Sequence, residues 1–168
     1  MNVGFLGLGK LGLPCALAIN AKGHNVFGFD INPKVKEILD KKELPYREEG
    51  AQELLDNHSI SWANLPELVS SSDIIFVPIQ TPHNPKYEGV TRLPEERVDF
   101  DYTWLKEGII RLSDEVDKQK EDKIVIIIST VLPGTVRREI KPLLSPHIKL
   151  CYNPFFIAMG TAIKDGLI

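Results

Sequence analysis

The stretch VGFLGLGKLGLPCALAINAKGHNVFGFDIN, residues 3–32, decides how the chain folds. The apolar run at 2–6 reads as a buried strand. Glycines follow at Gly7, Gly9 and Gly12, and residues 10–22 carry the apolar pattern of a helix packed on a sheet. Pro14 falls in the first turn of that helix, where a missing N–H costs little. Gly23 reads as its C-terminal cap. A second apolar strand, 25–29, ends at Asp30, and Asn32-Pro33 starts a further helix over 33–41. Strand, glycine turn, helix, strand and terminal acid succeed one another in the order of a βαβ unit.

The turn is a G-x-G-x-x-G, and each glycine has its own physical task. Gly7 permits the tight turn, Gly9 lets a pyrophosphate approach the backbone, and Gly12 lets the helix sit close to the strands. Lys10 and Leu11 lie between them, where a helix N-terminus offers unpaired N–H groups and partial positive charge to an anion. Asp30 stands 21 residues after Gly9, at the tip of the second strand. A carboxylate there accepts hydrogen bonds from free ribose hydroxyls and repels a 2′-phosphate. The next residue is Ile31 rather than Arg, so the pattern favours NAD over NADP. Lys34 lies near enough to touch an adenosine phosphate or ribose, and equally suits a solvated helix surface. The bland alternative is a glycine turn that binds nothing. The flanking strands and terminal acid weigh against it, whereas the turn alone does not separate NAD from flavin or S-adenosylmethionine.

The pattern of strand and helix continues. A short helix is expected near 50–56, a short strand at 59–62, and a helix from Asn64 or Pro66 to about 70. A buried strand follows at 73–78, then a long Pro- and charge-rich loop at 79–99. The helix expected over 101–118 has Trp104, Leu105, Ile109, Ile110 and Leu112 on one side. Residues 123–128 (KIVIII) are the clearest buried strand. A helix at about 134–144 and a last strand at 147–152 complete the series. Continuous Val/Ile/Leu/Phe strands alternating with helices indicate an α/β, Rossmann-type, doubly wound parallel sheet of about six strands with helices on both faces.

Bulk properties narrow the class. The chain has 168 residues, 43% hydrophobic and 26% charged, which suits one domain with a full core. A net charge of −3 gives no basic field, so nucleic acid is not an expected partner. No apolar run approaches a membrane span, and no signal peptide is evident. Cys15 and Cys151 form no metal-type spacing and read as buried small apolar residues, so no metal is expected. Reduced cysteines fit the cytoplasm.

In a doubly wound sheet, ligands lie at the C-terminal ends of the strands. Val77-Pro78 leads into Ile79-Gln80-Thr81-Pro82-His83. The next such end is Ser129-Thr130-Val131-Leu132-Pro133-Gly134-Thr135, and the last is Asn153-Pro154-Phe155-Phe156. Hydroxyls and amides thus gather at three successive strand ends. Thr135 reads more readily as a cap or turn former, and His83 as a surface histidine.

The blocks GLGKLGLP…GHNVFGFDIN, IIFVPIQTP, IISTVLPGT and NPFFIAMGTAIKDG together resemble the N-terminal NAD-binding domain of the UDP-glucose/GDP-mannose dehydrogenases. The resemblance spans nearly the whole chain. It implies an NAD-dependent, four-electron oxidation of a nucleotide sugar's primary alcohol to a carboxylate, in an enzyme that is a homodimer at full length. It places Gly7, Gly9, Gly12 and Asp30 in the NAD site and Thr81 and Thr130 near the nicotinamide and the reacting carbon, and Lys10, Leu11, Lys34, Val77, Pro78 and Ser129 are the further candidate cofactor contacts. It makes Thr130 a catalytic residue that positions a water or the sugar oxygen, and Phe156 and Ile157 substrate contacts.

Three departures accompany the resemblance. The family's Asn-Pro-Glu-Phe stands here as Asn153-Pro154-Phe155-Phe156, without the glutamate implicated in thioester hydrolysis, and the charged pair that follows it is Ala158-Met159. A phenyl ring cannot replace a carboxylate base. The loop after Thr81-Pro82 is longer than the family norm and reads as a lid or an interface arm. Residues 1–168 form a single cofactor domain on this reading, with the central helix, the sugar-binding domain and its nucleophilic cysteine absent. The alternatives are a non-catalytic NAD-sensing or partner-binding module, and the cofactor domain of a 3-hydroxyacid-type dehydrogenase.

Overall fold

In the computed structural model, which describes residues 1–87, 90, 92–155 and 160–166, all six strands join one parallel sheet. They are β1 (Asn2–Leu6), β2 (Asn25–Phe29), β3 (Ser61–Trp62), β4 (Ile74–Val77), β5 (Lys123–Ile127) and β6 (Ile148–Tyr152). Their order, β3-β2-β1-β4-β5-β6, is that of a Rossmann sheet, which reverses direction between β1 and β4. The sequence reading of the fold class holds.

Alternation along each strand supplies two cores, one on each face. Val3 and Phe5 of β1, Val26 and Phe76 point to one side. There they meet α1 (Gly12–Ala21), α2 (Pro33–Lys41) and α3 (Ala51–Asn57) through Leu13, Leu17, Val35 and Leu55. Phe5 and Phe76 stack at 5.2 Å between ring centres. Leu6, Ile75, Val77, Val125 and Ile127 point to the other side, against α4 (Leu65–Ser71) and α5 (Thr103–Gln119). A short helix, α6 (Ala162–Gly166), packs back on α1.

Local signals explain several boundaries. Asn64 caps α4 in a reciprocal box with Glu67, each side chain bonding the other's backbone N–H at 2.9 Å. Asn32 caps α2 by accepting from the Lys34 N–H, with Pro33 as its first residue.

Three expectations are corrected. The face of α5 that is buried is Leu105, Ile109, Leu112 and Val116, spaced by three and four, whereas Trp104 and Ile110 are exposed. Residues 134–144 do not form a regular helix but a widened π turn, Val136–Ile140, and a 3-10 turn, Lys141–Leu143. Pro142 lacks an N–H and its ring would collide with the carbonyl four residues back in a regular α-helix, and it sits instead in the first turn of the 3-10 segment, where both are tolerated. Cys151 is exposed rather than buried. It lies on the edge strand β6 and shares the outward face with Lys149.

Candidate cofactor-binding site

The glycine turn leaves β1 at the point where the sheet order reverses. Gly7 adopts φ +114, in the region that side chains avoid, and its N–H donates to the Phe29 carbonyl at 2.8 Å. A Cβ on Gly12 would lie 2.3 Å from the Gly7 carbonyl oxygen and 2.8 Å from the Pro78 ring, so only glycine lets α1 start this close to the sheet. A Cβ on Gly9 would meet nothing within 4 Å. Gly9 and Lys10 are exposed, and the N–H groups of Gly9, Lys10 and Leu11 have no acceptor among the described residues. The turn is therefore an open cradle of backbone donors at the N-terminus of a ten-residue helix, the arrangement that holds an anion.

Asp30 faces this cradle. One carboxylate oxygen accepts from the Leu8 N–H at 2.7 Å, the other from the Asn32 N–H at 2.8 Å. Each oxygen keeps a second lone pair for a ligand hydroxyl. Lys34 is exposed on α2, close in sequence to this tip.

The remaining strand ends meet on the far side of the switch point. The Ser129 hydroxyl donates to the Val77 carbonyl at 3.1 Å, bridging β4 and β5. The Thr81 hydroxyl donates to the Thr130 carbonyl at 2.5 Å. Thr130 is exposed and its own hydroxyl has no partner among the described residues. Val77 is fully buried beneath, and Pro78 lies against the glycine turn. Phe155 packs against the apolar cluster around α1, so no carboxylate stands at that strand end. Phe156 and Ile157 lie outside the described residues.

The structure also shows a hub that sequence reasoning missed. Tyr102, the residue that caps α5, is buried, with its hydroxyl donating to Asp99 at 2.5 Å. The same oxygen accepts from the Leu132 N–H at 3.1 Å and the Thr135 hydroxyl at 3.2 Å. Thr135 stands at the N-cap position of the turn Val136–Ile140 and closes a turn onto the Leu132 carbonyl, as a cap or turn former would, but its fully buried hydroxyl bonds Tyr102 instead of the backbone that follows. Arg138 bonds Asp99 and Glu139, and Glu139 bonds Lys106. Burial first, then the Asp99 carboxylate, pushes the Tyr102 phenol up. The Tyr102 hydroxyl is the main cause holding Asp99 below the usual carboxylate range. The proton therefore resides on the phenol. The sequence signal was Asp99, at the end of the loop that read as a lid or an interface arm, three residues before a tyrosine at a helix start.

A model of the UDP-glucose/GDP-mannose dehydrogenase family's NAD binding domain matches residues 1–167. The chain belongs to this family. It is the family's NAD-binding domain, and NAD is its cofactor. The GDP-mannose 6-dehydrogenase of Pseudomonas aeruginosa is 26% identical over 98% of this chain and 38% of its own length. An uncharacterized protein of Methanocaldococcus jannaschii is 28% identical over 98% of this chain and 17% of its own length. A crystal structure of a ternary complex of the Pseudomonas aeruginosa GDP-mannose dehydrogenase superposes with a TM-score of 0.85 at 26% identity, covering 99% of this chain and 38% of that one. The chain thus spans well under half the length of these relatives. Among the described residues no helix is long and apolar enough to cross a membrane.

Proposed function

We propose that this chain is the cofactor domain of a cytoplasmic nucleotide-sugar 6-dehydrogenase, which oxidises the C6 alcohol of a UDP- or GDP-sugar to a carboxylate. On this reading residues 1–168 form one domain of a longer enzyme, as the relatives' greater length supports, and the full enzyme is a homodimer. The observation that carries the proposal is the juxtaposition of an open glycine cradle, the Asp30 carboxylate bonded to that turn and a threonine pair at the adjoining strand ends.

The residues fit the cofactor that the family implies. The amides of Gly9, Lys10 and Leu11 take the diphosphate, with Gly7 and Gly12 shaping the approach and Lys34 near the adenosine end. Asp30 takes the adenosine ribose hydroxyls and rejects a 2′-phosphate. Val77, Pro78, Thr81, Ser129 and Thr130 form the nicotinamide end. NAD, when bound, supplies the hydride acceptor. Thr130, with an exposed hydroxyl and a backbone fixed by Thr81, orients the sugar oxygen or a water beside it. Phe156 and Ile157 contact the sugar nucleotide.

Phe155 favours a second reading, a domain that binds NAD without completing the oxidation, because the strand end offers a phenyl ring where a base would stand. The test is NADH formation by the complete gene product across UDP- and GDP-sugars. The proposal expects two NADH per sugar oxidised. NAD binding without turnover on any nucleotide sugar would leave the second reading.

A further inference from the structure

We propose that Tyr102 is a positioning residue for the nicotinamide end of the site, acting through the loop that carries Thr130. This rests on the cofactor reading above. The loop 129–135 has no regular structure of its own, yet three hydroxyls fix its backbone from three elements. Thr81, after β4, donates to the Thr130 carbonyl. Tyr152, at the end of β6, accepts from the Val131 N–H at 3.3 Å. Tyr102, at the start of α5, accepts from the Leu132 N–H and the Thr135 hydroxyl.

A phenol oxygen has one proton and two lone pairs. Tyr102 uses all three, because its proton goes to Asp99. Asp99 is itself oriented by the Arg138 guanidinium at 2.8 Å and by the Phe100 N–H at 2.8 Å. The chain of bonds therefore runs from the end of the long 79–99 loop, through Tyr102, to the residues immediately after Thr130. Tyr102 and Thr135 are buried while Asp99 and Arg138 are exposed, so the bonds on the loop side are the ones shielded from water, and a satisfied buried hydroxyl there specifies one conformation. The conformation specified here is that of the only strand-end loop presenting an unpartnered hydroxyl, that of Thr130, among the three ends described.

The test separates positioning from bulk stability with two ligands that share the adenosine diphosphate-ribose part and differ in the nicotinamide. NADH and ADP-ribose are titrated into the wild-type chain, Tyr102→Phe and Asp99→Ala, with circular dichroism to verify folding. Tyr102→Phe should weaken NADH by about tenfold, the worth of one or two hydrogen bonds, and leave ADP-ribose within about twofold. Asp99→Ala keeps the phenol but removes its acceptor, and should move NADH in the same direction by less. Should Tyr102→Phe fail to fold, the Asp99→Ala pair of affinities decides. Equal loss of both ligands, or loss of neither, overturns the proposal and leaves Tyr102 a structural tyrosine. A wild-type chain that binds neither ligand instead overturns the cofactor reading and this proposal with it.

Discussion

The Leu8 N–H donates to the Asp30 carboxylate at 2.7 Å, so the acid at the tip of β2 orders the glycine turn at the end of β1 before any ligand arrives. Asp30→Ala should therefore have two effects. It removes charge-assisted bonds to the ribose, worth about 1.5–3 kcal/mol, which corresponds to a ten- to hundredfold weaker NADH affinity. It also frees the turn, so the amides of Leu8 and Asn32 should exchange faster with solvent. A fluorescence titration and hydrogen exchange check the two separately, and unchanged NADH affinity would contradict the assignment.

Gly12→Ala places a methyl group 2.3 Å from the Gly7 carbonyl oxygen, which is backbone and cannot swing aside. Either α1 moves off the sheet or the turn opens. The expected cost is about 1–3 kcal/mol, read as a Tm lower by about 2–4 °C for each kcal/mol. Gly9→Ala, with nothing within 4 Å, should leave stability nearly unchanged and weaken the diphosphate contact alone.

Glu48 is buried, and its carboxylate accepts from the Gly160 N–H at 2.8 Å and the Ala162 N–H at 2.5 Å. It thereby ties the start of α6 to the segment before α3. Glu48→Ala leaves both donors without this acceptor, at a cost of about 1–3 kcal/mol in denaturant titration. Glu49, next in sequence, meets Gly160 through its backbone, so Glu49→Ala should change little. Equal effects of the two substitutions would contradict this role for Glu48.

Much of this was legible in the sequence, and the reason differs from part to part. The turn was readable because Gly7 and Gly12 answer backbone constraints that act over a few residues and that only glycine meets, and Asp30 was readable because a short apolar strand ends at it. The strands were readable because β1 from Val3, β4 and β5 from Ile124 run apolar through a sheet that carries a core on each face, although Ile124 itself is exposed. The exposure of Cys151 was not, because a short apolar strand does not announce whether it lies at an edge. Trp104 and Ile110 misled because a large apolar side chain on a helix need not lie on its buried stripe. Tyr102 was hidden because its partners Leu132 and Thr135 are 30 and 33 positions away, and nothing local to Asp99 or Tyr102 names them.

The two thiols should behave differently. Burial, and then the charge of Glu48, pushes Cys15 up from 9.0 to about 12, whereas Cys151 is exposed. A thiol reagent at neutral pH should count one cysteine in the native chain and two after unfolding. The same surroundings push Tyr46 up from 10.0 to about 12, burial again leading, and its hydroxyl is buried without a partner among the described residues. Both groups hold their protons more tightly when folded. Their contribution is therefore complete below about pH 9 and is lost as pH rises through about 12. Denaturation midpoints measured across that range should fall, and Cys15→Ala should make the fall shallower.

The most direct measurement is a calorimetric titration of this chain with NADH and with NADPH, followed by melting in the presence of each. A carboxylate at Asp30 facing a free amide cradle predicts that NADH binds and NADPH binds at least tenfold more weakly. At about a hundredfold excess over Kd, NADH should stabilise the fold by about 2.7 kcal/mol, a rise of roughly 5–10 °C in Tm for a chain of this size. Equal affinity for the two nucleotides, or no heat and no shift with saturating NADH, would contradict the account.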